Sequence, residues 1–165
     1  MKVVNMIDED FTQYKKPSMF IGFPSCSFKC CLECDNNICQ NSSLAKADKV
    51  EVSCSKLIDR YLDNPITKAI VCGGLEPFDS FDDLLELVKL LREQSNDDFV
   101  IYTGYTEDEI KEYIDILSEY DNIIIKFGRY IPNQEQHFDE ILGINLASTN
   151  QYAKIFQKPL KQYNQ

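Results

Sequence analysis

Three stretches of the chain share one plan: a short β-rich apolar run, a glycine at its end, and in two of the three a polar start to an amphipathic helix. The first is "ITKAIVCGG" at 66–74, followed after "LEPFD" by "SFDDLLELVKLLRE". There Ser80 and Asp83 make a capping-box-like start, and Phe81, Leu84, Leu85, Val88 and Leu91 fall on one helical face. The second is "FVIYTGY" followed by "TEDEIKEYIDILSEY", with Thr106 and Glu109 as the box and Ile110, Tyr113, Ile114 and Leu117 as the apolar face. The third, "NIIIKFG", ends at Gly128 without a clear helix after it. Upstream, "SMFIGF" reads as another buried strand, and "KLIDRYLDN" as a helix stopped by Pro65. This alternation predicts an α/β fold: a mostly parallel sheet with right-handed crossovers and flanking helices packed on its faces, either open or curled into a partial β/α barrel. Residues 1–158 are expected to form one domain, with 159–165 as a loosely held C-terminal tail.

Parallel strands share one carboxyl edge, and ligands of such sheets bind there. That edge is predicted to gather the end of "SMFIGF", Gly73 and Gly74, Thr103 and Gly104, and Gly128. The first of these leads into "CSFKCCLECDNNIC" at 26–39, which holds five of the seven cysteines. An odd, crowded set of cysteines in a chain with no basic, apolar export leader at "MKVVNMIDEDF" reads as metal or redox chemistry rather than a disulfide framework. The chain is therefore expected in the cytoplasm, and no apolar run approaches the roughly 20 residues that span a bilayer. A formal net charge of −10, with no local cluster of Lys and Arg, argues against a nucleic-acid partner.

Spacing alone leaves the metal open. Zinc wants four ligands, which Cys26, Cys30 or Cys31, Cys34 and Cys39 can supply, but only Cys31 and Cys34 have the two-residue knuckle gap. Iron-sulfur clusters also take thiolates, normally four, so three would leave one iron open for a substrate.

The flanking residues carry more. Three residues separate Cys26 from Cys30, "ICQN" surrounds Cys39, and the next strand ends in "GGLEP". In these features the chain resembles the radical S-adenosylmethionine (SAM) superfamily, whose signature is C-x3-C-x2-C followed by a G-G-E-P turn. It departs in two places: eight residues separate Cys30 from Cys39, and Leu75 is inserted before Glu76. The triads Cys26, Cys30, Cys34 and Cys26, Cys31, Cys34 compete with Cys26, Cys30, Cys39, which is preferred for the residues around Cys39. Cys31 and Cys34 then fall in the extra segment. Downstream, "YTGY" at 102–105 and "ASTNQ" at 147–151 are similar to segments of the activating proteins of anaerobic ribonucleotide reductase, in the same order along the chain.

The resemblance implies a 4Fe-4S cluster on Cys26, Cys30 and Cys39, with SAM chelating the open iron and cleaved by one electron to methionine and a 5'-deoxyadenosyl radical. It implies that Gly73 and Gly74 approach the methionine moiety, that Glu76 accepts from the SAM ammonium, that Thr103, Gly104 and Tyr105 contact ribose or adenine, and that Ile38 packs on adenine. The partners implied are the large subunit of a glycyl-radical reductase and an electron donor such as flavodoxin or ferredoxin; a homodimer is compatible with it. A radical SAM enzyme acting on another peptide or a small molecule is a second reading, and a zinc-stapled interaction domain a third.

Plainer readings stand beside these. Gly73-Gly74 taken alone is an ordinary strand-to-helix turn. Cys72 and Cys54 read as packed thiols, and His137, the single histidine, as a surface residue. Lys126 and Arg129 either meet anionic groups or are simply solvated, and Tyr105 either stacks on ribose or packs the strand end.

Overall fold

The computed structural model describes residues 1–29, 32 and 41–159. Strands β1 (Lys2–Val3), β2 (Asn5–Asp10) and β3 (Ser18–Phe23) open the chain, and β4 (Val50–Glu51) returns to pair with β1. Helix α1 (Cys54–Leu62) leads to β5 (Ala69–Gly74), α2 (Phe81–Arg92) to β6 (Asp98–Tyr102), and α3 (Lys111–Leu117) to β7 (Ile123–Phe127). The hairpin of β8 (His137–Asp139) and β9 (Ile144–Leu146) precedes β10 (Tyr152–Phe156).

Six strands form the central sheet in the order β10-β7-β6-β5-β3-β2. The inner four are parallel, as the alternation predicts, and β2 and β10 pair antiparallel at the two edges. The pairing leaves those edges apart and does not close a barrel. From β3 through β5 and β6 to β7 the chain always steps to the neighbouring strand in one direction. Crossovers of a single hand then deliver every helix to the same face. The expected flanking helices thus lie on one face of the sheet: Leu57, Ile58, Leu84, Leu87, Leu91, Ile114 and Leu117 all pack in one cluster with Ile21, Ile70, Phe99 and Ile125.

The opposite face has a thinner cover. Ala69, Val71, Val100 and Ile124 pack with Tyr14, Leu142 and Leu146. Tyr14 donates its hydroxyl to Asp98 at 2.9 Å, and the Lys15 amide donates to the Leu142 carbonyl at 2.8 Å, fastening this cover to the amino end of the sheet. The carboxyl end of the same face is left open.

Two cap readings divide. Glu109 Oε2 accepts from the Thr106 amide at 2.8 Å, the reaching-back half of the expected box. Ser80 makes no cap bond, because a 3-10 turn at Pro77–Ser80 runs directly into α2 and Asp83 instead lies 3.9 Å from the amino group of Met1. Cys54 and Cys72 are core thiols, and burial pushes Cys54 up to about 12 and Cys72 well above its ordinary value. No helix among the described residues is long and apolar enough to cross a membrane.

Candidate functional site

At the open end of the helix-free face, Gly22 pairs with Gly73 and Tyr102 with Lys126. Gly73 removes a side chain that would otherwise fill the sheet surface, and a cleft of about 560 Å³ lies over it and Gly74. Gly74 has φ +84°, and a Cβ there would stand 3.0 Å from Gly22 Cα, so both the turn and the close strand approach require glycine. Cys26, Gly73, Gly74, Glu76, Thr103, Gly104 and Tyr105 all line this cleft. Seven of the ten residues expected from the sequence are thus brought to one place. Cys30, Ile38 and Cys39, with Cys31 and Cys34, lie outside the described residues.

Glu76 is held on the rim by three donors. Its Oε1 accepts from Thr103 Oγ1 at 2.8 Å and the Phe78 amide at 3.2 Å, and its Oε2 from the Gly104 amide at 2.9 Å. It is 6% exposed. Burial raises its carboxyl to about 7, against the downward pull of the three hydrogen bonds. The inserted Leu75 is taken up by the strand pairing. The Leu75 amide donates to the Phe23 carbonyl at 3.2 Å and the Glu76 amide to the Ser25 carbonyl at 2.7 Å, so the β5 edge advances one residue while the β3 side, at Pro24, advances two.

In the same cleft stands Lys126, for which the sequence left two readings open, a contact with anionic groups or a solvated side chain; its burial rules out the second. Lys126 is 8% exposed and lines the cleft, its Nζ donating to the Gly128 carbonyl at 2.9 Å. Burial lowers its ammonium to about 8, and the nearby Glu76 charge opposes that fall. A period of two along β7 was the available signal: Lys126 continues the Ile124 face, beyond the end of its apolar cover. Arg129 is instead held by Glu109 in a bidentate pair at 2.6 and 2.9 Å, and it holds the Glu109 carboxyl below the usual range.

The segments T-G-Y and S-x-N-Q, far apart in sequence, meet at the end of β7. Gln151 Oε1 accepts from the amides of Ala147 at 3.1 Å and Ser148 at 3.2 Å, while its Nε2 donates to the Gly128 carbonyl at 3.2 Å. Asn150 Nδ2 donates to the Arg129 carbonyl at 2.8 Å. From the other side, the Gly128 amide donates to the Tyr105 carbonyl at 3.1 Å, and the Thr103 amide to the Lys126 carbonyl at 2.9 Å. Ser148 and Gln151 are buried, so the bonds of Gln151 form away from water, while the Asn150 bond lies at the exposed rim.

Cys26 follows β3 directly and stands half-buried at the cleft. Its Sγ accepts from the Phe28 amide at 3.2 Å, where Phe28 takes φ 54° to turn the chain back. A sulfur that accepts a backbone N–H at the mouth of a glycine-floored cleft suits a thiolate bound to a metal centre. The donor set of the cysteine loop is of the type that iron-sulfur clusters use.

Comparison with known proteins agrees with this chemistry. No curated protein matches the chain. The family of 4Fe-4S single cluster domains matches residues 18–152, from the start of β3 to the start of β10, a range that holds Cys26, Glu76, Lys126 and most of the cleft lining. By that match the chain belongs to the 4Fe-4S single cluster domain family, which is found in radical SAM-type proteins.

Proposed function

We propose that this protein is a radical SAM activase, which cleaves SAM reductively and installs a glycyl radical on an anaerobic ribonucleotide reductase-like partner. The observation that carries the reading is the pairing of a buried acid with a buried cation, Glu76 and Lys126, in the cleft that Cys26 borders. A ligand that presents an ammonium and a carboxylate on one carbon satisfies both, as the methionine moiety of SAM does. Glu76, fixed by Thr103 and Gly104, accepts from the ammonium; Lys126 has donors left for the carboxylate. The glycine floor at Gly73 and Gly74 lets the ligand lie against backbone. The residues that would hold the cluster are Cys26, Cys30 and Cys39. The chemistry a bound cluster supplies is one electron for breaking the sulfonium C–S bond. The joined T-G-Y and S-x-N-Q segments favour the activase branch, with the reductase large subunit as hydrogen donor and a flavodoxin- or ferredoxin-type protein as reductant.

The test is anaerobic reconstitution with iron and sulfide, then reduction in the presence of SAM. Methionine and 5'-deoxyadenosine formed in equal amounts support the reading. A glycyl radical detected by electron spin resonance on a reductase encoded beside this chain supports the activase assignment. Product formed without any such radical removes the activase assignment and leaves a radical SAM enzyme with another substrate.

A further inference from the structure

The first residues of the cysteine loop are gripped from two other strand ends. The Ser27 amide donates to Asp79 Oδ2 at 2.7 Å, and Tyr105 donates its phenol to Asp79 Oδ1 at 2.6 Å. Ser27 Oγ lies 3.3 Å from the same phenol oxygen. Above and beside the Tyr105 ring stand two cations, Lys29 Nζ at 4.7 Å and the Arg129 guanidinium at 5.7 Å from its centroid. Glu109 serves both, bidentate to Arg129 and 3.9 Å from Lys29. Asp79 thus commits one oxygen to the loop and the other to Tyr105, and the Tyr105 phenol is engaged before any nucleoside arrives. Burial and Asp79 push that phenol up to about 12, so it acts as a donor throughout the working range.

We propose that Asp79 and Tyr105 are positioning residues for the cluster: by fixing the Ser27 amide they set the direction of the Cys26 thiolate, and Tyr105 serves the cysteine loop rather than the ribose. The physical reason lies in the turn itself. Cys26, Ser27 and Phe28 form a tight reversal in which the Phe28 amide points at Cys26 Sγ, and that aim holds only while the intervening peptide is held. Fixing this peptide beforehand removes ordering entropy that metal binding would otherwise have to offset. The inference rests on the cluster reading of the loop.

Three variants of the full chain test it, each reconstituted anaerobically, checked for fold by circular dichroism, and challenged with a ferrous chelator. Asp79→Ala removes both acceptors and is expected to release iron about ten-fold faster than wild type, the scale of a lost hydrogen bond to a charged group. Asp79→Asn can accept from Ser27 and donate to the Tyr105 oxygen, so it is expected to restore retention close to wild type. Tyr105→Phe keeps the ring and its cation contacts but loses the phenol, and is expected to release iron a few-fold faster, with an altered electron spin resonance signal of the reduced cluster. Release at the wild-type rate in Asp79→Ala and Tyr105→Phe overturns the proposal, as does Asp79→Asn behaving like Asp79→Ala. So does a Tyr105→Phe variant that loses SAM affinity while holding its cluster normally, the signature of a ribose contact. A wild-type chain that takes up no cluster overturns the functional reading itself, whatever the variants do.

Discussion

On the helix side of the sheet Ile21, Phe23, Ile70, Cys72, Phe99, Ile101, Ile123, Ile125 and Phe127 are fully buried. On the other side, at the carboxyl ends of the same strands, stand Gly22, Gly73, Tyr102 and Lys126. The two faces alternate residue by residue along one backbone, yet one is closed by three helices and the other ends in an open cleft. The first supplies apolar burial, the main favourable contribution to folding. The second holds groups that burial disfavours, an acid raised to about 7 and a lysine lowered to about 8. Stability and ligand recognition are therefore expected to separate by face, and substitutions can break that separation.

The largest expected effect is on stability alone. Leu87 is fully buried under α2 on the helix face, and Leu87→Ala should lower the unfolding free energy by about 3 kcal/mol in urea titrations while SAM affinity is kept. A loss of SAM affinity without a loss of stability would break the division. The converse substitution is Glu76→Gln. It removes a charge-assisted acceptor, and SAM binding should weaken by roughly ten-fold or more, read by calorimetry on the reconstituted protein. Its stability should change little, because relief from burying a carboxylate offsets the poorer match to the Gly104 amide.

The pH dependence sharpens the same contrast. Burial raises the Glu76 carboxyl from its ordinary value of 4.5 to about 7, so between those values the folded chain holds a proton that the unfolded chain has lost. This contribution to stability is full below about pH 4.5 and is lost as pH rises through about 7. SAM affinity should run the other way, rising about ten-fold per pH unit up to about pH 7 as Glu76 ionises and levelling above it. Lys126 works in a separate window: its lowered value means that stability rises with pH between about 8 and 10.5. In Glu76→Gln the slope of affinity below pH 7 should vanish; if it persists, another group controls binding.

The smallest effect is at the cleft floor. A Cβ at Gly73 would stand 3.1 Å from Phe20 Cε2, the end of a ring that can shift, so Gly73→Ala should cost under about 1 kcal/mol of stability. Because the methyl group enters the cleft, SAM affinity should fall a few-fold in the same assay.

Much of this layout could be read from the residues. The four parallel strands, the three helices and the meeting of Gly73, Gly74, Glu76, Thr103 and Tyr105 follow from apolar runs that end in glycine, because register and strand direction then fix which ends share an edge. The one-sided helix layer was less visible, since each crossover looks the same locally and only the order β3-β5-β6-β7 decides the face. The edge strands were missed: β2 reads "NMIDED", and a strand paired on one side only has little need of an apolar pattern. For Lys126 the sequence left an anion contact and a solvated side chain side by side, because its burial comes from a distant segment at 144–151 that closes over the strand end. The Asp79–Tyr105 bond joins residues 26 apart across two loops, which no local pattern encodes.

If the proposed function holds, the open end of the helix-free face binds SAM beside a cluster held by the cysteine loop. The most direct measurement is the electron spin resonance spectrum of the reconstituted, reduced protein with and without SAM. The expected result is a 4Fe-4S signal that changes on SAM addition in wild type, is lost in Cys26→Ser, and in Glu76→Gln needs a higher SAM concentration to change. A colourless protein with stoichiometric zinc, or a cluster signal that SAM leaves untouched, would contradict it.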